Sequence, residues 1–454
     1  MDIHASHFAP PSKPASSPAR SWLAGYGLLV LVVATIFNAL DRQILGLLAE
    51  PMRHSLGLSD TQLGLLQGVG ITLFVGVAAV PLGWLADRFG RRALLAACVL
   101  VWTAATAACG LAHDFSALFL AAIGLGIGEA GLTPIIYGLI PQIVSERRRV
   151  LANGIYTLAV ILGSGLGITL SGALVQALDG VRPMLPSAWQ ALESWRLAFL
   201  IVALPGPLVA LAVLLIRLHP GRGDADVPMA GAKPALPAYF RAHGRTMIYV
   251  FGGSGLLALA LAASVNWAPI VAARVFGATA AQVGQGIGLS YLLGTAAGAV
   301  LGAVGVKLLR RRVGLATPIR VVVIGSALAA LASLLMLAVH SAAGLYLLFG
   351  VQVAALIAGS VLMPTLLQDM TPAALRSRLI AIGTGVSVGL SVLSPVLVGA
   401  LSDLLQSSAQ GLLIAMAGVG AVGFALASVV MRAAEQPFLK TIEKIHLDLA
   451  LREA

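Results

Sequence analysis

Twelve long runs of apolar residues, each ended by a short polar or basic stretch, follow one another along the chain. They cover roughly residues 22–50, 61–86, 93–113, 115–142, 149–178 and 195–218, then 245–272, 281–308, 317–341, 343–370, 375–405 and 408–433. Each reaches the roughly 20 residues an α-helix needs to cross a hydrocarbon layer. In lipid every backbone N–H and C=O must be satisfied within the element, so runs of this length predict membrane-spanning helices. One long polar stretch, 219–244, interrupts the series after the sixth run and carries Pro220, Gly221, Asp224, Asp226, Pro228, Pro234 and Pro237. Residues 1–20, rich in Pro and Ser, predict a disordered tail. The expected organisation is a cytoplasmic tail (1–20), a six-helix half (21–218), a cytoplasmic linker (219–244), a second six-helix half (245–433) and an amphipathic tail (434–454). In that last tail Phe438, Ile442, Ile445 and Leu449 share one helical stripe. The stripe suits either a helix lying on the membrane surface or one packed on the cytosolic loops.

Composition sharpens this picture. The 454 residues are 59% hydrophobic and 10% charged, with a mean hydropathy of +0.95. Soluble domains average about 25% charged residues, so the fold class expected is an all-α integral membrane protein. The first run is too long for a signal-peptide core and lacks a cleavage pattern, so it is expected to be retained. Cys98 and Cys109 fall on one helix about 16 Å apart, too far for a disulfide.

The net charge of +11 reflects topology signals rather than a nucleic-acid partner, because the basic residues cluster between apolar runs. With the N-terminus inside, 24 of the 29 Lys and Arg residues fall on the inner side. Arg53, Arg182, Arg196 and Arg274 fall outside and Arg42 within a span. This asymmetry predicts an even number of spans with both ends cytoplasmic. The Ala-rich composition fits a bacterial inner membrane.

Loops repeat between the halves. Gly83-x-x-x-Asp87-Arg88-x-Gly90-Arg91-Arg92 follows span 2, and Gly302-x-x-x-Val306-Lys307 with Arg310 and Arg311 follows span 8. Glu146-Arg147-Arg148-Arg149-x-x-Ala152-x-Gly154 is echoed by Arg376-x-Arg378-x-x-Ala381-x-Gly383. Duplicated halves place a substrate cavity at their interface, near the bilayer midplane. In the first loop Asp87 sits at a helix end beside a turn that Gly90 permits, placed to make a contact that holds the halves together in one state and breaks in another.

That decamer resembles the signature loop of the major facilitator superfamily. The first half further resembles the spinster-like lipid transporters, through Asn38-Ala39-Leu40-Asp41-Arg42-Gln43-Ile44, Leu56 to Leu66, Pro81 to Arg88 and Gly126-Ile127-Gly128-Glu129-Ala130. The resemblance implies a twelve-helix major facilitator fold with two pseudo-symmetric six-helix halves. It also implies that Asp41, Arg42 and Glu129 line the cavity of the first half.

Charged groups at a helix centre are costly and usually functional. Asp41 and Glu129 are the acidic residues well inside the spans, with Glu50 near an outer end, and all eight histidines fall in tails, loops or span ends. A coupling proton would therefore ride on Asp41, Glu129 or both, with Arg42 as their partner. The expected substrate contacts are Asn38, Arg42, Glu129, Thr133, Tyr137 and Gln352, and the expected gating residues are Gly83, Asp87, Arg88, Gly90, Arg91 and Arg92. The spinster-like pattern carries an Arg seven residues before the span-4 Glu, where this chain has Ala122. Gly163, Gly167 and Gly172 in span 5 loosely resemble an antiporter motif, and close helix packing explains them equally. The second half has no charge well inside its spans, away from their ends, and Asn266, Gln285, Tyr291, Thr384 and Ser387 read as helix–helix hydrogen bonders.

A cavity with one charged pole and an apolar opposite wall suits an amphipathic substrate. The expected function is proton-coupled transport of lysophospholipid-like or sphingoid-phosphate-like lipids by a monomer, with the proton as the coupling ion and no cofactor or metal. Alternatives are transport of an organic anion or hydrophobic drug, or an uncoupled lipid scramblase or receptor. No metal motif, nucleophile constellation or phosphate-binding loop suggests an enzyme.

Overall fold

A computed structural model describes residues 18–453, except 185, 219–235 and eight positions between 361 and 374. Most of the expected tail 1–20 and of the linker 219–244 lies outside the described residues. Among the described residues there is no β-strand. Twelve membrane-length helices form among the described residues: α1 Pro18–Leu47, α2 Asp60–Phe89, α3 Arg91–Leu111, α4 Phe115–Ile143, α5 Glu146–Val181 and α6 Ser194–Leu214, then α7 Leu236–Arg274, α8 Ala280–Val313, α9 Thr317–Leu335, α10 Ala342–Ser360, α11 Arg376–Leu404 and α12 Gly411–Glu453. A short helix, Ala49–Leu56, joins α1 to α2.

Local chemistry sets the starts and stops in pairs. Ser59 and Thr279 each close a capping box, with Gln62 and Gln282, and so begin α2 and α8. Two residues before each cap stands a glycine of positive φ, Gly57 (62°) and Gly277 (65°). Two more, Gly90 (91°) and Gly314 (58°), end the same two helices. A side chain there would meet the following carbonyl, so each turn demands glycine. The four glycines are two duplicated pairs, and Leu56-Gly57-Leu58-Ser59-Asp60-Thr61-Gln62-Leu63-Gly64 reappears as Phe276-Gly277-Ala278-Thr279-Ala280-Ala281-Gln282-Val283-Gly284.

Several boundaries differ from expectation, and α7 already begins at Leu236, inside the expected linker 219–244. α10 ends at Ser360, short of 370. α12 does not stop near 433 but runs through Pro437 to Glu453. Phe438 and Ile442 are fully buried in a cluster with Met247, Phe251, Ile319 and Leu379, so this part of the stripe packs on the second half, while the side chains of Ile445 and Leu449 lie outside the described residues. Burying two large apolar side chains contributes about 1.5–3 kcal/mol each, which a neighbouring helix supplies more fully than an interface does.

The halves meet most closely at the end of the bundle that carries Gly57 and Gly277. There α5 crosses α8 with Gly172 against Gly284, and α2 crosses α11 with Gly64 against Pro395. A Cβ on Gly64 would lie 2.3 Å from the Pro395 oxygen, so the approach is possible only without a side chain. Gly163 and Gly167 face Ala39 of α1. The span-5 glycines thus serve close helix packing.

Candidate functional site

Below that closed end lies a cavity of about 360 Å³ between the halves. Arg42, Gln43, Gln67, Thr72 and Ser164 line it from the first half, and Ala258, Leu261, Val265, Asn266, Tyr291 and Phe349 from the second. Polar groups gather on the first-half side. The opposite wall is mostly apolar.

Arg42 forms the charged pole. Its Nε lies 3.3 Å from Glu129 Oε2, and its side chain remains 46% exposed while that of Glu129 is 3% exposed. The contact is electrostatic, because the N–H is not aligned for a hydrogen bond and both Glu129 oxygens lack a hydrogen-bond partner. Glu129 is held from behind by tight packing, since Gly128 sits directly against the Trp102 backbone of α3.

Asp41 is buried one residue away and faces α3. Thr106 Oγ1 lies 2.6 Å from Asp41 Oδ2 and 2.9 Å from the Trp102 carbonyl. A hydroxyl has one proton and two lone pairs. An ionised Asp41 accepts that proton. A neutral Asp41 donates its own to Thr106, which then turns its proton to Trp102. The pocket accommodates both charge states without moving a side chain, and Asp41 Oδ1 has no partner in either. Asp41 and Glu129 are near enough to sense each other's charge.

The other expected contact residues are spread out. Asn38 Nδ2 is buried and unpartnered on α1. Thr133 and Tyr137 lie further along α4, where Tyr156 reaches Thr133 at 3.5 Å and stacks edge-on against Tyr137 with ring centres 5.0 Å apart. Gln352 is fully buried and donates to Ser333 Oγ at 2.6 Å, away from the cavity wall. Ala122 is fully buried, and its Cβ is 3.2 Å from where a Cβ on Gly70 would stand. That contact between α4 and α2 leaves no room for an Arg.

At the end of the bundle carrying Gly90, the signature loop braces its own half. Asp87 Oδ1 pairs with Arg91 Nη2 at 2.8 Å, Arg91 Nη1 donates to the Gly138 carbonyl and Arg92 Nη1 to that of Ile216. Arg88 lies over the rings of Trp84 and Phe89. The Asp87 side chain is 66% exposed, and a Cβ on Gly83 would meet nothing within 4 Å. Among the described residues no hydrogen bond or ion pair of this loop reaches the second half, whereas the other end is tied across the halves.

The shut end is locked by charge. Arg274, the last residue of α7, donates to both Asp60 oxygens at 2.7 and 2.8 Å and to Glu50 Oε2 at 2.6 and 2.9 Å. Ser402 Oγ donates to Asp60 Oδ2 at 2.7 Å. Asp403 accepts the backbone N–H groups of Asp60 and Thr61 and the Thr61 hydroxyl, capping α2 from the other half. Burial pushes the Glu50 carboxyl up, but hydrogen bonds from Arg274 and Arg53 more than reverse this and hold it below its ordinary value. Counting about 1.5 Å per residue along α2 and α7, the lock stands roughly 10–12 Å above Gln67 and Asn266 in the cavity.

Residues 31–384 match the family model described as Major Facilitator Superfamily. The chain belongs to the major facilitator superfamily. Its fold follows that of a bacterial homologue of the human lysosomal transporter spinster, solved in an inward-facing, unoccupied conformation, with a TM-score of 0.79 and 24% identity over 94% of this chain and 99% of that one. Among curated relatives, an MFS-type efflux pump of Mycolicibacterium smegmatis is 28% identical over 297 residues, 63% of this chain and 61% of that protein. The mouse sphingosine-1-phosphate transporter SPNS2 is 29% identical over 249 residues, covering 53% and 42%. A probable L-galactonate transporter of Escherichia coli is 30% identical over 184 residues, covering 40% and 37%. The matched segments thus span about two fifths to three fifths of those relatives.

For this major facilitator protein, sequence reasoning missed two features. Gln67 is 5% exposed, lines the cavity and has neither amide atom hydrogen-bonded. It lies in a π-helical stretch of α2, Leu66–Leu73, whose widened turn frees the Gln67 carbonyl to accept from Thr72 Oγ1 at 2.8 Å. A lone Gln in an apolar span is a signal, but the π-turn that aims it is not readable from residue types. The lock was missed because Glu50, Asp60, Arg274 and Asp403 each sit at a span end, where charge is ordinary. Asn266 and Tyr291, expected as helix–helix bonders, stand on the cavity wall.

Proposed function

We propose that this protein is a proton-coupled transporter of amphipathic lipids with an anionic headgroup, working by alternating access. The observation that carries the reading is the polarity of the central cavity. Arg42 is its exposed cation, backed by the buried acids Glu129 and Asp41, and it faces an apolar wall supplied by α7, α8 and α10. An anionic headgroup would compete with Glu129 for Arg42. Displaced from its partner in a dry pocket, Glu129 would then take up a proton, so binding of anion and proton would be linked. The relatives named for transport of a phosphorylated lipid support the substrate class.

On this reading the Gly90 end, where the basic residues gather, faces the cytoplasm, as the positive-inside asymmetry supports, and the arrangement is inward-facing with the Arg274 lock as its outer gate. The membrane proposed is a bacterial inner membrane, and the working unit a monomer.

The test is reconstitution in liposomes with a fluorescent lysophospholipid, with and without an imposed pH gradient. The parent should move lipid in response to the gradient, and Glu129→Gln should abolish that response. Lipid movement indifferent to pH in both would leave an uncoupled scramblase. Absence of lipid movement alongside uptake of organic anions or drugs would favour the efflux-pump reading, to which the exposed Arg42 and the mycobacterial relative also lend support.

A further inference from the structure

A second cavity, of about 450 Å³, opens between α7 and α12 at the Gly90 end. Its wall is basic, with Arg245 from α7 and Lys440 and Lys444 from α12. Among the described residues none of these three makes an ion pair. The nearby acid Glu435 is committed to Arg320 and Arg432. Glu443 is exposed and makes no ion pair with these cations among the described residues.

The ordinary reading of such charges is a solvated, topology-setting loop. Two observations separate this cluster from one. First, the cations converge from two helices on one concavity with a built floor: the Thr246 and Thr441 hydroxyls lie 2.9 Å apart across the helices, and His243 Nδ1 is 3.3 Å from Thr441. Secondly, the cluster continues a lipid-facing surface. Val429, Ala433, Gln436, Lys440 and Lys444 recur at intervals of three and four and so share a face of α12. Val429 on that face is 66% exposed, and Ile248 one turn above Arg245 is 70% exposed. The face turns from apolar to basic within three turns, the step from hydrocarbon to headgroup region.

We infer that this cavity is a binding site for a phosphate group, distinct from the central cavity, whose occupant bridges α7 and α12. Three cations on two helices, with Thr, Tyr and Gln side chains between them, call for several acceptor oxygens arranged in three dimensions. A phosphate presents these and a planar carboxylate does not. The phosphate is either that of an anionic membrane lipid or a free one. Because the site lies within the second half, away from Arg42 and Glu129, its occupancy stands or falls apart from the transport reading.

The experiment is thermal unfolding of the full chain in neutral detergent, titrated separately with dioctanoyl phosphatidylglycerol, dioctanoyl phosphatidylcholine and inorganic phosphate at constant ionic strength. Native mass spectrometry counts bound lipid in parallel. Phosphatidylglycerol should raise the unfolding midpoint above phosphatidylcholine and add one tightly held lipid. If inorganic phosphate gives the same rise, the site takes the free anion. If only the lipid does, the headgroup is the ligand. Arg245→Gln, Lys440→Gln and Lys444→Gln combined should weaken apparent affinity roughly a hundredfold, each charge counting for about fivefold. Lys440→Arg with Lys444→Arg should keep it, which guards against a folding defect. Equal stabilisation of the parent and the Gln variant, or no preference for either phosphate source over phosphatidylcholine, overturns the inference.

Discussion

Thr106 has one proton to share between Asp41 and the Trp102 carbonyl, and that arithmetic makes Asp41 a different residue from Glu129. Asp41 has a partner that serves either of its charge states, whereas Glu129 has only the Arg42 charge beside it. Thr106→Val removes the partner and strands a buried carboxyl, at a cost of about 1–3 kcal/mol. Thr106→Ser should restore it. Chemical denaturation of the two variants checks this, the Val form falling below the Ser form. The contact of Ala122 with α2 also decides an outcome. An Arg inserted there must displace the π-helical segment around Gly70, so Ala122→Arg should lower the yield and thermal stability of folded protein and not improve transport. Size-exclusion profiles and unfolding midpoints would show it.

Among the elements, the short helix Ala49–Leu56 and the ends of α2, α7 and α11 are where the halves are held. All four basic residues on the sparsely charged side are tied down: Arg53 on Glu50, Arg182 on the Leu192 carbonyl, Arg196 on the Ala112 carbonyl and Arg274 in the lock. A cation on that side runs against the topology signal, and each here is spent on an acceptor. Arg274→Gln leaves Asp60 and Glu50 facing each other without a counter-charge. At about 2 kcal/mol for the lost charge-assisted bonds, the shut arrangement should lose roughly thirtyfold in population. Arg274→Lys should recover only part of it, because an ammonium cannot hold two carboxylates in a fork. Spin-label distances between Ala191→Cys and Ser407→Cys, one on each half, report the opening. Cys98 and Cys109 are buried and should not take up label.

For the whole molecule, the same labels read a pH dependence. The Glu50 carboxyl is held below its ordinary value, near 4.3 for a free Glu. A group lowered in the locked state stabilises that state fully above its ordinary pKa and ceases to as pH falls through the lowered value. The lock should therefore be indifferent between pH 8 and 6 and loosen below about pH 4. Glu50→Gln should show a smaller acid step. A lock that loosened between pH 8 and 6 would assign the switch to another group.

Hydrophobic run lengths and the positive-inside bias determined the twelve helices and the two halves, because in lipid a backbone has almost no other way to satisfy itself. The same cost of burying charge marked Asp41, Arg42 and Glu129, and the structure places Arg42 against Glu129. What residue types could not decide was direction. Gln352 is polar and lies in a cavity-lining span, but its helix turns it toward Ser333. Gln67 is aimed inward only by an extra backbone atom ring in α2. Phe438 and Ile442 were amphipathic in sequence, and only the neighbouring helices determined what covered them. The lock joins residues more than two hundred positions apart, each unremarkable alone. The solvent acts on every residue separately and is legible in the chain, whereas a rotation of a few tens of degrees about a helix axis, or a meeting of distant ends, exists only once the helices have packed.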